Sequence, residues 1–341
     1  MDTILYLAHT EADGTLGKAA YEALTAAKTL AGELGGAFVA GLIGTDVSPA
    51  AGTLGVDKVL GVSGAEYAVS RYATDAAAAA ALVEASGATT VVAAGTPRFS
   101  RALPGVAARL DGRIETHVTA LAADGDAVQC ERWFYRQRMV AKLSRAQRPW
   151  FLLTSAGAFE PAPAASGAAS VEDVAVSLEA ADLRTTVTGI EAAAAEAQTI
   201  RPDAELLLVA GAGWTKKQKD GTTHVKEASE LVLGFLDRTK ASLGSSKSLV
   251  DQGAEGAEVM SFMSHLNQVG QTGSTPRHRK GLATCCHGEE PHVVGWRFIT
   301  ERRAINLDAS CGWAQGKADV LYVADAFEVM AKVNALLGAD S

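Results

Sequence analysis

The sequence predicts an α/β protein of two domains, and three observations lead to that prediction. The chain has 341 residues, 48% hydrophobic and 21% charged, which is enough for about two globular domains with ordinary cores. Short runs that are apolar throughout alternate with amphipathic segments, as is typical of a parallel sheet covered by helices on both faces. A stretch rich in Ala, Pro and Ser, residues 158–170, separates two such series.

The first series predicts four strands with helices between them. The apolar runs that predict strands are residues 3–9, 37–44, 56–64 and 88–96, and the helical segments are residues 15–36, 73–87 and 102–112. We expect the first helix to stop at Gly35. The second should be capped by Thr74 or Asp75 and ended by Gly87, because polar side chains cap helix starts and glycine favours helix ends.

The rest of the first domain changes character. Residues 128–157 carry charges on one face and predict antiparallel strands. Residues 158–170 predict a connector with little capacity to pack, and residues 171–200 predict one alternating strand and an acidic helix. The first domain is therefore expected to span residues 1–200, with a Rossmann-like sheet of the nucleotide-hydrolase type.

A second α/β series occupies residues 201–341. It contains a buried strand at 205–214 that runs into a glycine turn, a helix at 224–244 ended by Gly244, further strands at 291–296, 301–308 and 318–325, and a closing helix at 326–338. This order predicts a doubly wound sheet, which binds its ligand at the carboxyl ends of the strands.

Charge and composition exclude several classes of function. The chain has 31 Lys and Arg against 39 Asp and Glu, a net charge of −8, which disfavours binding to nucleic acid or anionic membranes. No apolar run reaches membrane-spanning length, and the first residues lack the features of a signal peptide. We therefore expect a cytoplasmic protein that does not insert into a membrane. Four cysteines in a chain of this length do not predict a disulfide framework.

Cysteines and a histidine near residue 285 raise the possibility of a metal site. Cys285, Cys286 and His287 are adjacent, and Cys311 follows later. Zinc and iron–sulfur sites usually separate paired cysteines by two residues, so that both thiolates reach one ion. The spacing favours small buried residues beside a cofactor over a metal site, and we predict no metal.

Two glycine-rich stretches are candidates for binding a ligand. In "VAGAG", Gly211 and Gly213 form half of a dinucleotide-binding motif, and a plain strand-to-helix turn is favoured. In "QVGQTG", two glycines flank Gln271 and Thr272. The backbone there can approach a planar ligand or a phosphate, and both side chains offer uncharged donors and acceptors. This stretch predicts a ligand loop.

Two basic clusters allow two interpretations each. Lys216, Lys217 and Lys219 follow the "GAG" turn; a solvated loop and phosphate neutralisation near a helix start are equally compatible with them. Residues 277–280, "RHRK", favour a solvated face over a docking patch for an anionic partner.

Five stretches in the second half carry a family resemblance. In order and spacing, "SSKSLVDQG", "LNQVGQTG", "HGEEPH", "AINLD" and "ADVLYVAD" resemble the flavin domain of the electron transfer flavoprotein alpha subunit. The family pattern there is A-S-R-x-x-V-D-x-G, Q-V-G-Q-T-G, S-G-A-x-Q-H, A-I-N-x-D and A-D-x-x-x-V-x-D. "ILYLAHTEADGTL", "GVDKVL", "LPGVAARLDG" and "ADLRTTVTGIE" are similar to the first domain of that subunit. The resemblance therefore spans nearly the whole chain.

The resemblance implies an electron carrier rather than a catalyst. It implies a heterodimer with a beta-type subunit, FAD bound in the C-terminal domain, and electrons received from a flavin dehydrogenase. Ser246 and Lys247 would lie near the isoalloxazine ring, and Asn306 and Asp325 would hold the adenosine end. The full set of implied cofactor-binding residues is Ser246, Lys247, Gly270, Gln271, Thr272, His287, Gly288, His292, Asn306 and Asp325.

The chain also departs from the family pattern. The family's G-R-G is "GAGW" here, and the arginine of A-S-R is Lys247, whose ammonium does not replace a planar guanidinium fork without loss. Glu289 and Glu290 place two negative charges near a cofactor that is itself anionic. Two interpretations therefore stay open. The chain is either a working alpha-type subunit with an altered flavin potential, or a flavin-poor structural or docking subunit of a larger amine or amino-acid dehydrogenase complex.

Overall fold

The structure of the chain, a computed structural model, describes residues 2–135, 139–189, 200–201, 204–252, 256–269, 278–284, 299–309 and 318–339. It divides into two compact units, Met1–Ile190 and Glu191–Ser341. Each unit consists of a sheet with helices packed against it. The predicted α/β fold with two domains is therefore confirmed.

The described part of the first unit contains one sheet of nine strands. Its strands are β1 (Thr3–His9), β2 (Ala37–Gly44), β3 (Lys58–Ser63), β4 (Thr90–Ala94), β5 (Arg113–Asp124), β6 (Ala127–Phe134), β7 (Met139–Ser144), β8 (Trp150–Thr154) and β9 (Ser170–Asp173). Its helices are α1 (Lys18–Leu34), α2 (Ser48–Ala51), α3 (Tyr72–Ser86) and α4 (Pro97–Arg109), with a one-turn 3₁₀ helix at Ala65–Tyr67. The order across the sheet is β7-β6-β5-β8-β4-β1-β2-β3-β9.

Helices cover both faces of this sheet, which explains why its central strands are apolar throughout. In β1, Ile4 and Tyr6 belong to the core on the α1 side, whereas Leu5 and Leu7 belong to the core on the α3 and α4 side. All four side chains are fully buried. Both faces therefore select apolar residues, and the prediction made from the uninterrupted apolar run is confirmed.

The predicted ends of α1 and α3 are confirmed, but the predicted cap of α3 is wrong. Gly35 and Gly87 follow these helices in the left-handed region, with φ of 57° and 61°. However, α3 begins upstream of Thr74 and Asp75, so both residues lie in its first turn. The carboxylate of Asp75 forms a buried ion pair with Arg98, with nitrogen–oxygen distances of 2.6 and 3.0 Å. A long-range partner thus determines the role of this aspartate.

Residues 113–154 combine antiparallel and parallel pairing. Strands β5, β6 and β7 form the expected antiparallel excursion, with a single bulge region in β5. Strand β8 lies in the same stretch of sequence but pairs in parallel with both β4 and β5. Because all five of its residues are buried between those two strands, the uniformly antiparallel prediction is wrong for β8.

The Ala-, Pro- and Ser-rich stretch belongs to the first unit. None of its described residues is buried, as its composition predicts, but it is attached to the surface of that unit and is not a free connector. The N–H of Ala162 donates to the carbonyl of Tyr21 at 3.1 Å, and that of Ala165 to Thr53 at 2.9 Å. Phe159 and Ala169 pack against the α1-side core. Main-chain hydrogen bonds fix this segment, and composition does not reveal them. The stretch then leads into β9, which pairs in parallel with β3.

The described part of the second unit contains a parallel sheet of five strands. They are β10 (Leu206–Ala210), β11 (Ser242–Ser245), β12 (Lys280–Thr284), β13 (Glu301–Asn306) and β14 (Val320–Val323). The helices are α5 (Val225–Thr239), α6 (Lys247–Asp251) and α7 (Ala326–Ala339), with one-turn 3₁₀ helices at Ala212–Thr215 and His265–Asn267. The sheet order is β11-β10-β12-β13-β14. Since β11 and β12 flank β10 on opposite sides, the chain reverses direction there, as in doubly wound folds.

The long helix of this unit ends earlier than predicted. Helix α5 stops at Thr239, and Lys240 adopts the left-handed region with φ of 53°. Gly244, the predicted helix end, lies within β11. A Cβ atom at Gly244 would approach Val269 to 2.6 Å, so close packing explains this glycine and the prediction is wrong. Strand β12 was not predicted, while the strands near 301–308 and 318–325 and the closing helix are confirmed.

Two predicted elements, the acidic helix at the end of the first domain and the strand at 291–296, lie wholly or mainly outside the described residues. Among the helices that the structure describes, none has the length and apolar character needed to cross a membrane.

Candidate functional site

A cleft with a volume of about 280 Å³ lies at the carboxyl edge of the second sheet. Its walls come from the segment after β10, the end of β13 and the start of α7. In parallel α/β sheets ligands bind outside the carboxyl ends of the strands, because loops and helix starts converge there. The cleft is therefore in the position where the doubly wound topology predicts a ligand.

Aromatic side chains form and support one wall of the cleft. Trp214 is fully buried behind the cleft, and its Nε1 donates to Oγ1 of Thr284 at 2.9 Å. The ring of Phe327, which lines the cleft, lies 4.6 Å from the indole. The hydrogen bond fixes the tryptophan, and the tryptophan supports the phenylalanine. The result is a rigid apolar surface of the kind that a heterocyclic ring can contact.

Two of the predicted site residues, Asn306 and Asp325, line this cleft together. Asn306 is the last residue of β13 and is only 5% exposed; its Nδ2 donates to the carbonyl of Asp308 at 3.3 Å. Asp325 precedes α7, and its Oδ1 accepts from the N–H of Phe327 at 2.9 Å. This bond caps α7 and leaves Oδ2 available near Lys219, 3.8 Å away. A fixed carboxylate of this kind suits the hydroxyl groups of a ribose.

Ser246 and Lys247 lie at the same edge of the sheet but do not line the cleft. Ser246 follows β11, and its Oγ accepts from the N–H of Leu249 at 3.2 Å, so it caps α6. Lys247 begins α6, and its Nζ is 3.6 Å from Oδ2 of Asp251. The neighbouring Ser245 is fully buried, and its Oγ has no hydrogen-bond partner among the described residues. The hydroxyl of Ser246 and the ammonium group of Lys247 thus lie at the carboxyl end of β11.

The other six predicted site residues lie outside the described residues. They are Gly270, Gln271, Thr272, His287, Gly288 and His292. The cysteines of the possible metal site, Cys285, Cys286 and Cys311, lie outside as well. Within the described ranges, no group of three or more His, Cys, Asp or Glu side chains could hold a metal ion. The described Cys130 is buried, and burial raises the pKa of its thiol to about 12, which makes it unreactive.

A loop between the turn after β10 and α5 forms the cationic side of the cleft. We call residues 216–224 the lysine loop, since Lys216, Lys217 and Lys219 all line the cleft. Asp325 is the single carboxylate among the described lining residues. The cleft is therefore net positive in a chain whose total charge is −8. The sequence left open whether these lysines form a solvated loop or neutralise a phosphate. Their position in the wall of the cleft favours neutralisation of an anion.

The residues that shape this loop are not among those predicted from the sequence. The Nε2 of Gln218 donates to the carbonyls of Gly213 and Lys216 at 3.0 and 2.7 Å. The carboxylate of Asp220 accepts from both the N–H and the hydroxyl of Thr222, each at 2.9 Å. The available signal was "DGTTH", because an aspartate followed by glycine is typical of a tight turn closed by the side chain.

His224 closes the lysine loop through an ion pair with Asp220. Its Nε2 lies 2.7 Å from Oδ2 of Asp220, and its Nδ1 lies 3.4 Å from Glu227. The hydrogen bond to Asp220 raises the pKa of the imidazole. Hydrogen bonds from Thr222 and His224 lower the pKa of Asp220 to about 2. Asp220, His224 and Glu227 line a second cavity, of about 220 Å³. It shares with the cleft the lining residues Gln218, Lys219, Asp325 and Phe327.

The remaining glycine and basic stretches have structural explanations. After Gly211 the chain enters a one-turn 3₁₀ helix, and α5 begins only at Val225. A dinucleotide motif needs a long helix directly after its glycines, so the interpretation as a plain turn is favoured. From the "RHRK" run, Arg279 and Lys280 pair with glutamates at 3.8 and 2.8 Å. Both lie where β12 begins, at the sheet edge opposite the cleft.

A comparison with known protein families matches residues 4–179 to the electron transfer flavoprotein domain. The matched residues make up slightly more than half of the chain and include every described strand and helix of the first unit except the first residue of β1. The match confirms the electron transfer flavoprotein family and does not distinguish its alpha subunit from its beta subunit. The chain belongs to the electron transfer flavoprotein family.

Proposed function

We propose that the chain is an alpha-type subunit of an electron transfer flavoprotein. It binds FAD at the carboxyl edge of its second sheet and forms a heterodimer with a beta-type subunit in the cytoplasm. It receives electrons from a flavin dehydrogenase and passes them to an acceptor. The observation that carries the proposal is the cleft that Asn306 and Asp325 line together, in a second α/β unit that follows the matched family domain.

The described residues fit the adenosine diphosphate part of FAD. Phe327 offers an aromatic wall, Asp325 a fixed carboxylate, and the lysine loop a positive side. These features supply contacts to a ring, to hydroxyl groups and to phosphates.

FAD would supply the redox chemistry, and the chain would supply its position and electrostatics. Asp325 and Asn306 would orient the adenosine end, which fixes the cofactor without taking part in electron transfer. Lys247 would stabilise negative charge near the ring, as the sequence resemblance implies, and a positive neighbour favours the reduced form of a flavin. The role of electron carrier requires only a held cofactor and a surface at which partners dock.

The first test is the flavin content of the chain co-purified with its beta-type subunit. We expect visible flavin absorption and about one FAD per heterodimer, as for a single cofactor site. Asn306→Ala should lower the flavin content while the heterodimer still assembles. A colourless heterodimer that takes up no added FAD would contradict the proposal.

A second candidate is a flavin-poor docking subunit of an amine or amino-acid dehydrogenase complex. It is favoured by Glu289 and Glu290 and by the absence of two arginines of the family pattern, since each change weakens binding of an anionic cofactor. The same experiment separates the two functions, because this candidate predicts stable assembly with a dehydrogenase and no visible absorption.

A further inference from the structure

The lysine loop is held in place by hydrogen bonds of its own. Gln218 anchors it to the turn after β10 through the carbonyls of Gly213 and Lys216. Its main-chain N–H donates to the carbonyl of Thr222 at 2.8 Å, and Gly221, with φ of 82°, makes the tight turn between them. A loop closed in this way presents its side chains in a restricted set of directions.

The far end of the loop is anchored to the helix that follows. Asp220 binds His224, and the ring of His224 lies 6.2 Å from the ring of Phe327 in the wall of the cleft. The loop is therefore attached both to the turn after β10 and to the aromatic wall. Between these anchors, Lys217 and Lys219 line the cleft although both are exposed.

We infer that the lysine loop is a preformed clamp for the diphosphate of the bound dinucleotide, and that its lysines compensate for the arginine missing from "GAGW". This inference rests on the proposed function and develops one of the two interpretations that the sequence left open for these lysines. Lys219 is 3.8 Å from Asp325, and its side chain is 76% exposed, so it can turn from the carboxylate to a phosphate oxygen. Lys217 adds a second ammonium group on the same side of the cleft.

A clamp of this kind discriminates between ligands by their phosphates. Adenosine would contact only the aromatic wall, Asn306 and Asp325, AMP would add one phosphate, and ADP would present the full diphosphate to both lysines. The expected order of affinity is ADP, then AMP, then adenosine. Because the lysines are exposed, salt should weaken ADP binding much more than adenosine binding.

The test is calorimetric titration of the full-length chain, freed of bound nucleotide, with ADP and with adenosine. In Lys217→Gln/Lys219→Gln, the dissociation constant for ADP should rise by at least about tenfold, since hydrogen bonds to charged groups are involved. Adenosine binding should stay unchanged. The matched control is Lys226→Gln/Lys332→Gln, which removes the same charge from exposed positions on α5 and α7; its affinity for ADP should be that of the wild type.

A second variant tests whether the loop positions its lysines. Gln218→Ala leaves the net charge unchanged and removes the two side-chain bonds that anchor the loop. It should weaken ADP binding several-fold and leave adenosine binding unchanged. Wild-type affinity of this variant for ADP would overturn the preformed clamp.

The other outcomes separate this inference from the proposed function. If the double lysine variant binds ADP as tightly as the wild type, or if the control loses as much affinity, the clamp is wrong while FAD binding stands. Equal losses for ADP and adenosine would show a general disturbance of the cleft and also overturn the clamp. If the wild type binds neither FAD nor ADP, the proposed function fails together with the clamp.

Discussion

Asp325 has two roles that substitutions can separate. Its Oδ1 caps α7 through the N–H of Phe327, and its side chain lines the cleft, where we propose that it binds the adenosine ribose. Asp325→Ser keeps a side-chain oxygen that can cap the helix but removes the carboxylate. Asp325→Ala removes both. The two variants therefore predict different combinations of stability and affinity.

The expected magnitudes follow from the contacts of Asp325. Loss of a helix cap costs about 1 kcal/mol, which lowers the Tm of a unit of this size by about 3 °C. Loss of hydrogen bonds to a carboxylate costs about 1.5–3 kcal/mol, or about a 10- to 150-fold higher Kd. The ion pair with the exposed Lys219 contributes little.

The assay measures the Kd for FAD by fluorescence quenching and the Tm of the same samples by calorimetry. Asp325→Ser should raise Kd by at least about tenfold with little change in Tm, and Asp325→Ala should change both. If Asp325→Ser binds FAD with the affinity of the wild type, the ribose contact is refuted. If Asp325→Ala leaves Tm unchanged, the capping argument is wrong.

Two further predictions concern ionised pairs. The pKa of His224, raised chiefly by its hydrogen bond to Asp220, should lie above its ordinary value in an NMR titration. The stabilisation by this pair is full below the unfolded-state pKa of the imidazole and is lost as pH rises through the folded-state pKa. Asp220→Asn should move that pKa back, and an unchanged pKa would contradict the pairing. Arg98→Met should cost about 3–5 kcal/mol, because it leaves the carboxylate of Asp75 buried and unpaired; Asp75 is 1% exposed. Arg98→Met/Asp75→Leu should recover most of that loss in denaturant unfolding, and a double variant as unstable as the single one would contradict this account.

The parts of the fold that depend on local pattern were predictable from sequence. The apolar run of β1 predicts a strand because both faces of the sheet are covered. The glycines after α1 and α3 predict helix ends because glycine readily adopts the left-handed region. Gly244 carries the same local signal, yet it lies in a strand, and glycine is required there because a Cβ would approach Val269 to 2.6 Å. That constraint comes from a residue far along the chain, so no local pattern contains it.

In the candidate site, too, residues with a local sequence pattern were predictable, whereas residues whose role depends on the folded loop were not. Asn306 and Asp325 were found because each lies at the carboxyl end of a recognisable strand and matches a family pattern at a fixed spacing. Gln218 and His224 were missed because their roles depend on how the lysine loop closes. Their partners, the carbonyl of Gly213 and the carboxylate of Asp220, are chosen by loop geometry, which residue types alone do not specify.

The most direct test of the account is a crystal structure of the FAD-loaded heterodimer. We predict that the adenosine lies against Phe327 and Asp325 and that the diphosphate lies within hydrogen-bonding distance of Lys217 or Lys219. A structure in which FAD binds elsewhere, or in which this cleft stays empty at saturating FAD, would contradict the central claim.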